Sequence, residues 1–268
     1  PLLIHAFLFE NSSYLKKWSK KLPNTKFQNS YLNFIASHDG IGMRPTEGIL
    51  NERSLNNFLK RLKKNGSKFS YRKVKNKTKK VYEANITVFD ALKKSDTDFK
   101  GEYLLERYVS AHSIMISLEG IPAIYFNSLF GKSNDEAKYI ITGNNRDVNR
   151  YKWNYKNISK KLNNKNSKQS IFFTKISNLL KVRRKQKAFH PNASRYNLNF
   201  GSNFFAFKRV SIDKNQTIIC ISNLSSKIQK AHLNKIYYNW HNLIGPKIEI
   251  KNKLLILKPF ETIWLSNR

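Results

Sequence analysis

Tyr31-Leu32-Asn33-Phe34-Ile35-Ala36-Ser37-His38-Asp39-Gly40-Ile41-Gly42-Met43-Arg44-Pro45-Thr46-Glu47-Gly48 is the stretch on which the reading of this chain turns. An apolar run from Leu32 to Ala36 stops abruptly at Ser37-His38-Asp39-Gly40. A buried parallel strand that delivers polar side chains to the rim of a site has this form. A His-Asp pair at a strand end, held by a turn with glycine, can bind a hydroxylated ligand. It can also set a fixed negative charge beside a developing positive one. The pair makes an enzyme the leading expectation. Taken alone, the same residues also fit an Asp-Gly turn beside a hydrogen-bonded structural imidazole.

Outward from this strand the pattern alternates. Before it, Leu8, Leu15, Trp18 and Leu22 recur at helical spacing and predict one helix over 2–22. After it, Leu55, Phe58, Leu59 and Leu62 form an amphipathic stripe that Gly66 stops. Residues 66–81 are polar and basic and predict a long loop, followed by a short helix or turn over Asn85 to Leu92. Glu102 to Leu118 reads as a helix, and Ile121 to Phe126 as a short buried strand. A polar loop is expected from Asn127 to about Asn166, and a further helix around Ile171, Ile176, Leu179 and Leu180. Helix, strand, helix, strand, helix is the order of parallel βα units. Beyond Pro191 come short β-type runs at Phe204–Val210, Thr217–Ser222, Ile236–Trp240, Leu254–Leu257 and Thr262–Leu265. These predict a small antiparallel sheet.

The net charge of +33 raises the question of a nucleic-acid partner. Of the 50 basic residues 38 are Lys, 32 residues are Asn, and the lysines are scattered rather than set on one stripe. That is the signature of an AT-rich coding bias, and no nucleic-acid-binding motif accompanies it, so nucleic acid is not expected as the partner. Lys60 to Lys80 is denser, with eleven basic residues and no acidic one. Such a charge should attract anions such as phosphate or phosphorylated sugars. No apolar run approaches the ~20 residues of a membrane span. The single cysteine, Cys220, excludes an internal disulfide and leads to a cytoplasmic expectation. His5, His112, His190, His232 and His241 form no ligand set, so neither a metal nor another cofactor is expected. Pro1 in place of an initiator Met leads to the expectation of a fragment or processed product.

Several stretches together resemble one family. They are Pro1-Leu2-Leu3-Ile4-His5-Ala6, Ala36 to Gly42 with Arg44-Pro45-Thr46-Glu47-Gly48, and Tyr82-Glu83-Ala84-Asn85-Ile86-Thr87. Further on come Gly120 to Tyr125, Asn144-Asn145-Arg146-Asp147-Val148-Asn149-Arg150 and Ala188-Phe189-His190-Pro191-Asn192-Ala193. Their order resembles that of the sucrose phosphorylase branch of glycoside hydrolase family 13, the α-amylase superfamily. The resemblance implies an α/β fold: the C-terminal part of a TIM (β/α)8 barrel over 1–190, then a small antiparallel β domain over 191–268. Only two barrel strands are visible, whereas a whole barrel needs roughly 200–250 residues. The chain therefore resembles a C-terminal half. The nucleophile and acid/base motifs of the family are absent, and the N-terminal half of the same protein becomes the expected partner.

The resemblance also assigns roles. Retaining cleavage of a glucoside passes through an oxocarbenium-like transition state. Asp39 matches the third carboxylate of the superfamily, which stabilises that charge, and His38 matches its sugar-binding histidine. Arg146 matches an arginine at the far end of the glucose pocket, where a planar fork holds carboxylate and hydroxyl together. Asp147 and Arg150 are expected to pair within their own loop. Tyr82, Glu83 and Asn85 match a mobile loop that reaches the acceptor or phosphate. Glu83, where sucrose phosphorylases usually carry Gln, and the Arg44–Gly48 continuation both resemble relatives acting on sucrose 6-phosphate, glucosylglycerate or glucosylglycerol. Arg72 and Lys73 either meet an anionic acceptor or are solvated. The implied activity is phosphorolysis of an α-glucoside by inorganic phosphate to α-glucose 1-phosphate. A hydrolase or transglucosidase of the same superfamily and a basic nucleic-acid-binding module are the alternatives.

Overall fold

The computed structural model describes the chain except residues 24, 26–28, 75–78, 235, 236, 238, 249 and 252. Its first part runs α1 (Leu2–Leu8), α2 (Ser13–Lys21), β1 (Leu32–Asn33), β2 (Ile41–Gly42), α3 (Glu52–Lys64), β3 (Lys68–Lys73), β4 (Lys79–Asn85), α4 (Val88–Ala91), α5 (Leu104–Ser117) and β5 (Ile121–Pro122). Four helices follow: α6 (Phe126–Leu129), α7 (Glu136–Thr142), α8 (Tyr155–Asn163) and α9 (Lys168–Arg184). The remainder is β6 (Ser194–Leu198), β7 (Phe204–Val210), β8 (Thr217–Asn223), β9 (Gln229–His232), β10 (His241–Asn242), β11 (Ile250–Lys251), β12 (Leu254–Leu257) and β13 (Thr262–Ser266).

The two strands expected to be parallel do pair in parallel, Leu32 opposite Ile121 and Asn33 opposite Pro122. Parallel neighbours need a crossover, and α5 arrives directly before β5. The strands are shorter and more open than the apolar runs imply. Only two residues of each join the ladder, and Phe126 already begins α6. Leu32, Phe34 and Ile121 are 63%, 56% and 51% exposed. Among the described residues this pair has no further strand on either side, so the faces a closed barrel would bury lie open. Beside them runs an apolar groove of about 290 Å³ lined by Leu3, Trp18, Phe34, Pro45 and Met115, among others.

Three other expectations are corrected. The helix over 2–22 is two helices. Glu10 has φ +51, and Asn11 Oδ1 accepts the Ser13 amide at 2.8 Å, a local bond that competes with helix continuation. The expected loop over 66–81 is largely a β-hairpin, β3 paired antiparallel with β4, and β4 also takes β2 on its other edge. The loop over 127–166 holds α6, α7, α8 and a 3₁₀ segment at Asn145–Asn149. Asp135, Asn144 and Asn154 read as loop residues but are helix N-caps, their side chains accepting the amides of Lys138, Arg146 and Asn157.

The C-terminal part is a five-stranded antiparallel sheet, order β10-β13-β8-β7-β6, and a three-stranded one, order β11-β12-β9. Alternate residues of the larger sheet serve two cores. Phe205, Phe207, Ile218, Cys220 and Trp264 join the core that includes α5 and α9, while Phe204, Ala206, Ile219, Ile221 and Ile263 face the smaller sheet. A strand buried on both faces has no polar alternation, which is why β7, β8 and β13 stand out as apolar runs. β6, β9, β10 and β11 have no such run and carry no expectation in the sequence. Of the strand expected over 236–240, Ile236 and Tyr238 lie outside the described residues. Tyr237 and Trp240 precede β10 rather than forming a strand.

Two buried arginines fasten this sheet to the helical part. Arg209 of β7 donates to the Ser117 carbonyl at 2.8 Å, and Arg183 of α9 to the carbonyls of Ile116 and Gly120 at 2.8 and 2.7 Å. Both therefore sit at the C-terminal end of α5, where free carbonyls attract cations.

Candidate functional site

The turn after β1 is fixed by glycine. Gly40 has φ +126, and a Cβ there would lie 2.3 Å from the Ala84 carbonyl oxygen of β4. Only glycine lets the turn press this closely on β4. Ser37 and Gly40 exchange backbone hydrogen bonds of 3.1 and 3.2 Å, and Ser37 Oγ accepts the Asp39 amide. The Asn85 amide group donates to the Asp39 carbonyl at 2.9 Å and to Glu83 Oε2 at 2.8 Å. Asn85 is fully buried and Ser70 of β3 donates to its Oδ1 at 2.8 Å, so one side chain ties turn, hairpin and site together.

Asp39 Oδ1 gathers two guanidinium groups and an imidazole. Arg150 Nη2 is at 2.6 Å, His38 Nε2 at 3.2 Å and Arg146 Nε at 3.5 Å. Arg146 Nε also donates to Glu83 Oε2 at 3.0 Å, and its Nη2 reaches Tyr82 Oη at 3.3 Å. Glu83 is buried, and its hydrogen bond raises the Arg146 guanidinium above its ordinary value. The fork therefore stays charged and bridges the two carboxylates. His38 remains well exposed, so its ring faces outward from the turn.

All six expected side chains, His38, Asp39, Tyr82, Glu83, Asn85 and Arg146, thus meet in one network drawn from three separate segments. Two points differ from expectation. Tyr82, Glu83 and Asn85 lie on the central strand of a three-stranded sheet, not on a loop, because β4 is paired on both edges. Arg150 does not pair with Asp147: it turns to Asp39, while Asp147 takes Lys138 at 3.5 Å. Arg150 belongs to the singled-out stretch Asn144–Arg150, but its partner is 111 residues away and no spacing rule reaches that far. Asn149 and Tyr125 were also not anticipated. Asn149 Nδ2 donates to the Ser37 carbonyl at 2.5 Å, and Tyr125 Oη donates to the Asn149 carbonyl at 2.8 Å. Burial raises the Tyr125 phenol, keeping it a donor. Arg72, one of the two basic residues left open, meets Glu47 Oε1 at 2.7 Å. Among the described residues no cluster of three or more His, Cys, Asp or Glu could hold a metal ion.

No family model matches the chain. It is 30% identical over 266 residues to the glucosylglycerate phosphorylase of Escherichia coli, covering 99% of this chain and 46% of that protein. It is 33% identical over 279 residues to the glucosylglycerate phosphorylase of Spirochaeta thermophila, covering 99% and 47%. A crystal structure of sucrose 6F-phosphate phosphorylase from Thermoanaerobacter thermosaccharolyticum superposes with a TM-score of 0.67 at 19% identity, over 83% of this chain and 42% of that one. The chain spans about half the length of the curated relatives it matches. Its parallel strand pair with helical crossover and its appended antiparallel sheets are the C-terminal part of the TIM-barrel fold of these enzymes. By sequence and by fold the chain belongs to the sucrose phosphorylase-like branch of glycoside hydrolase family 13, the α-amylase superfamily.

Proposed function

We propose that the intact protein is a retaining α-glucoside phosphorylase acting on glucosylglycerate, and that this chain is its C-terminal part. Residues 1–190 supply the last portion of the barrel and 191–268 the β domain. The observation that carries the reading is Asp39: a carboxylate in the turn after a barrel strand, held on Oδ1 by the guanidinium groups of Arg150 and Arg146 with the His38 ring beside it. The resemblance to glucosylglycerate phosphorylases supports the substrate class.

In this reading the nucleophile and the acid/base are carboxylates of the partner N-terminal half. It packs on the open faces of β1 and β5 and in the groove beside them. Asp39 faces the anomeric centre and stabilises the oxocarbenium-like charge, His38 hydrogen-bonds a sugar hydroxyl, and the Tyr82–Glu83–Arg146 group borders the acceptor side. Phosphate attacks the glucosyl–enzyme intermediate, the enzyme carboxylate leaves, and α-glucose 1-phosphate is released. The protein acts in the cytoplasm, where phosphate is plentiful.

The test is incubation of the intact protein with glucosylglycerate. Phosphate-dependent release of α-glucose 1-phosphate and glycerate is expected. Release of free glucose at the same rate without phosphate would make the protein a hydrolase and overturn the proposal. The chain without its N-terminal half is expected to show no turnover, since Asp39 cannot both attack carbon and protonate the leaving group. Turnover by the purified chain alone would end the view that it is catalytically incomplete.

A further inference from the structure

The hairpin that carries Glu83 also carries a cationic cluster. In the register of β3 on β4, Ser70 stands opposite Glu83 and Arg72 opposite Lys80, with a bulge between the two pairs. Side chains two apart on a strand share a face, so Arg72 lies on the face of Ser70, whose hydroxyl belongs to the site network. β2 pairs with β4 at Gly42 and Glu83, and the Met43 amide donates to the Tyr82 carbonyl at 2.8 Å. That contact leads the chain into the 3₁₀ turn Arg44–Thr46 beside Tyr82. Glu47, next in line, accepts Arg72 Nη2 at 2.7 Å. The Glu47 carboxyl is held below its usual range, first by this bond and then by the charges of Arg72, Lys80 and Arg44.

Arg72 therefore pairs with Glu47, with Lys80 opposite Arg72 in the ladder and Arg44 at the start of the turn that carries Glu47. Glu47 occupies a single Nη of the Arg72 fork, and Arg72 Nε is buried without a hydrogen-bond partner among the described residues. A guanidinium prefers to hold planar carboxylates through two parallel N–H bonds. The cluster thus carries more positive than negative charge, and the Arg72 side chain stays 30% exposed on the site's own face. Nothing in the catalytic reading uses it.

We propose that Arg72, with Arg44 and Lys80, forms an anion subsite that holds the carboxylate of the acceptor half of the substrate. The proposal rests on the reading of the intact protein as a glucosylglycerate phosphorylase. Glu47 occupies part of the fork when no acceptor is bound and orients it for the incoming carboxylate.

The experiment is glucoside synthesis by the intact protein from α-glucose 1-phosphate, with glycerate or the neutral acceptor glycerol. For Arg72→Gln, checked for folding by circular dichroism, the ratio of kcat/KM for glycerate to that for glycerol should fall by about tenfold or more, the loss of a charge-assisted hydrogen bond. For Glu47→Gln, which removes the internal competitor and leaves the cations, that ratio should equal or exceed the wild-type value. An unchanged ratio in folded Arg72→Gln overturns the proposal. So does an equal fall in Glu47→Gln, which would make the ion pair merely structural. A raised KM for phosphate with an unchanged acceptor ratio would give the cluster to phosphate and also overturn it. Absence of any phosphate-dependent turnover in the wild type would instead remove the underlying functional reading.

Discussion

Asp39 Oδ1 is held by two guanidinium groups, Arg150 and Arg146, with the His38 ring 3.2 Å away. Under the proposed function, Asp39→Asn in the intact protein keeps the shape and much of the hydrogen bonding but removes the charge proposed to face the oxocarbenium-like centre. The loss should appear in kcat and kcat/KM alike, at about 10²–10³-fold. Steady-state phosphorolysis with folding checked by circular dichroism measures it, and a folded variant with wild-type kcat would reduce Asp39 to a turn residue. At this scale the sequence is most informative about what lies close along the chain. Ser37-His38-Asp39-Gly40 announces a polar strand end because its meaning is local. Arg150 does not announce itself, since its value to the site arises from packing against a turn 111 residues earlier.

The hairpin of β3 and β4 was the least legible element, for a physical reason. Its outer half is solvated and lysine-rich, so it shows no apolar alternation. Its inner half is buried through polar residues, Glu83 and Asn85, which pattern reading assigns to loops. The amphipathic stripe of α3, by contrast, was legible because Phe58 and Leu62 meet the core directly. Asn85 is what makes the hairpin part of the site. Asn85→Ala would leave the Asp39 carbonyl, Glu83 and the Ser70 hydroxyl each short of a partner in a buried place. A loss of about 2–4 kcal/mol is expected, read from denaturant unfolding. A loss below about 0.5 kcal/mol would mean that water replaces the amide and that the hairpin is held by its ladder alone.

Across the whole molecule, two buried imidazoles make stability depend on pH. Burial lowers both His5 and His112 to about 4, and His112 Nδ1 engages the Tyr108 carbonyl. Each stays neutral in the fold while the unfolded chain takes up its proton near the ordinary value of 6.5. Their contribution is fully present above that value and is lost as pH falls from 6.5 toward 4, up to roughly 3 kcal/mol each. The urea midpoint should therefore drop between about pH 7 and pH 5, and His112→Gln should flatten the drop. A midpoint that holds level over this range would show that the two rings protonate in place. The fold class was legible at this scale from the alternation of helices and strands and the family resemblance, and the antiparallel sheet from the apolar runs of β7, β8 and β13. The exposure of Leu32, Phe34 and Ile121 was not, since an apolar run reads as buried whether or not its neighbours are present.

The two arginine clamps at the end of α5 set an order of events during synthesis. The carbonyls of Ile116 and Ser117 wait for guanidinium groups 67 and 92 residues downstream. While α5 leaves the ribosome, Ser117 Oγ can already close onto the Ser113 and Ile114 carbonyls, but the Ile116 and Ser117 carbonyls have only water and the helix end is unfinished. It reaches its native bonding only after α9 and then β7 have emerged, so the helix end is completed by distant sequence. Such long-range closure raises contact order and slows the final step. It also ties maturation of the helical part to translation of the β sheet behind it, making the appended sheet a checkpoint on when the helical part becomes whole.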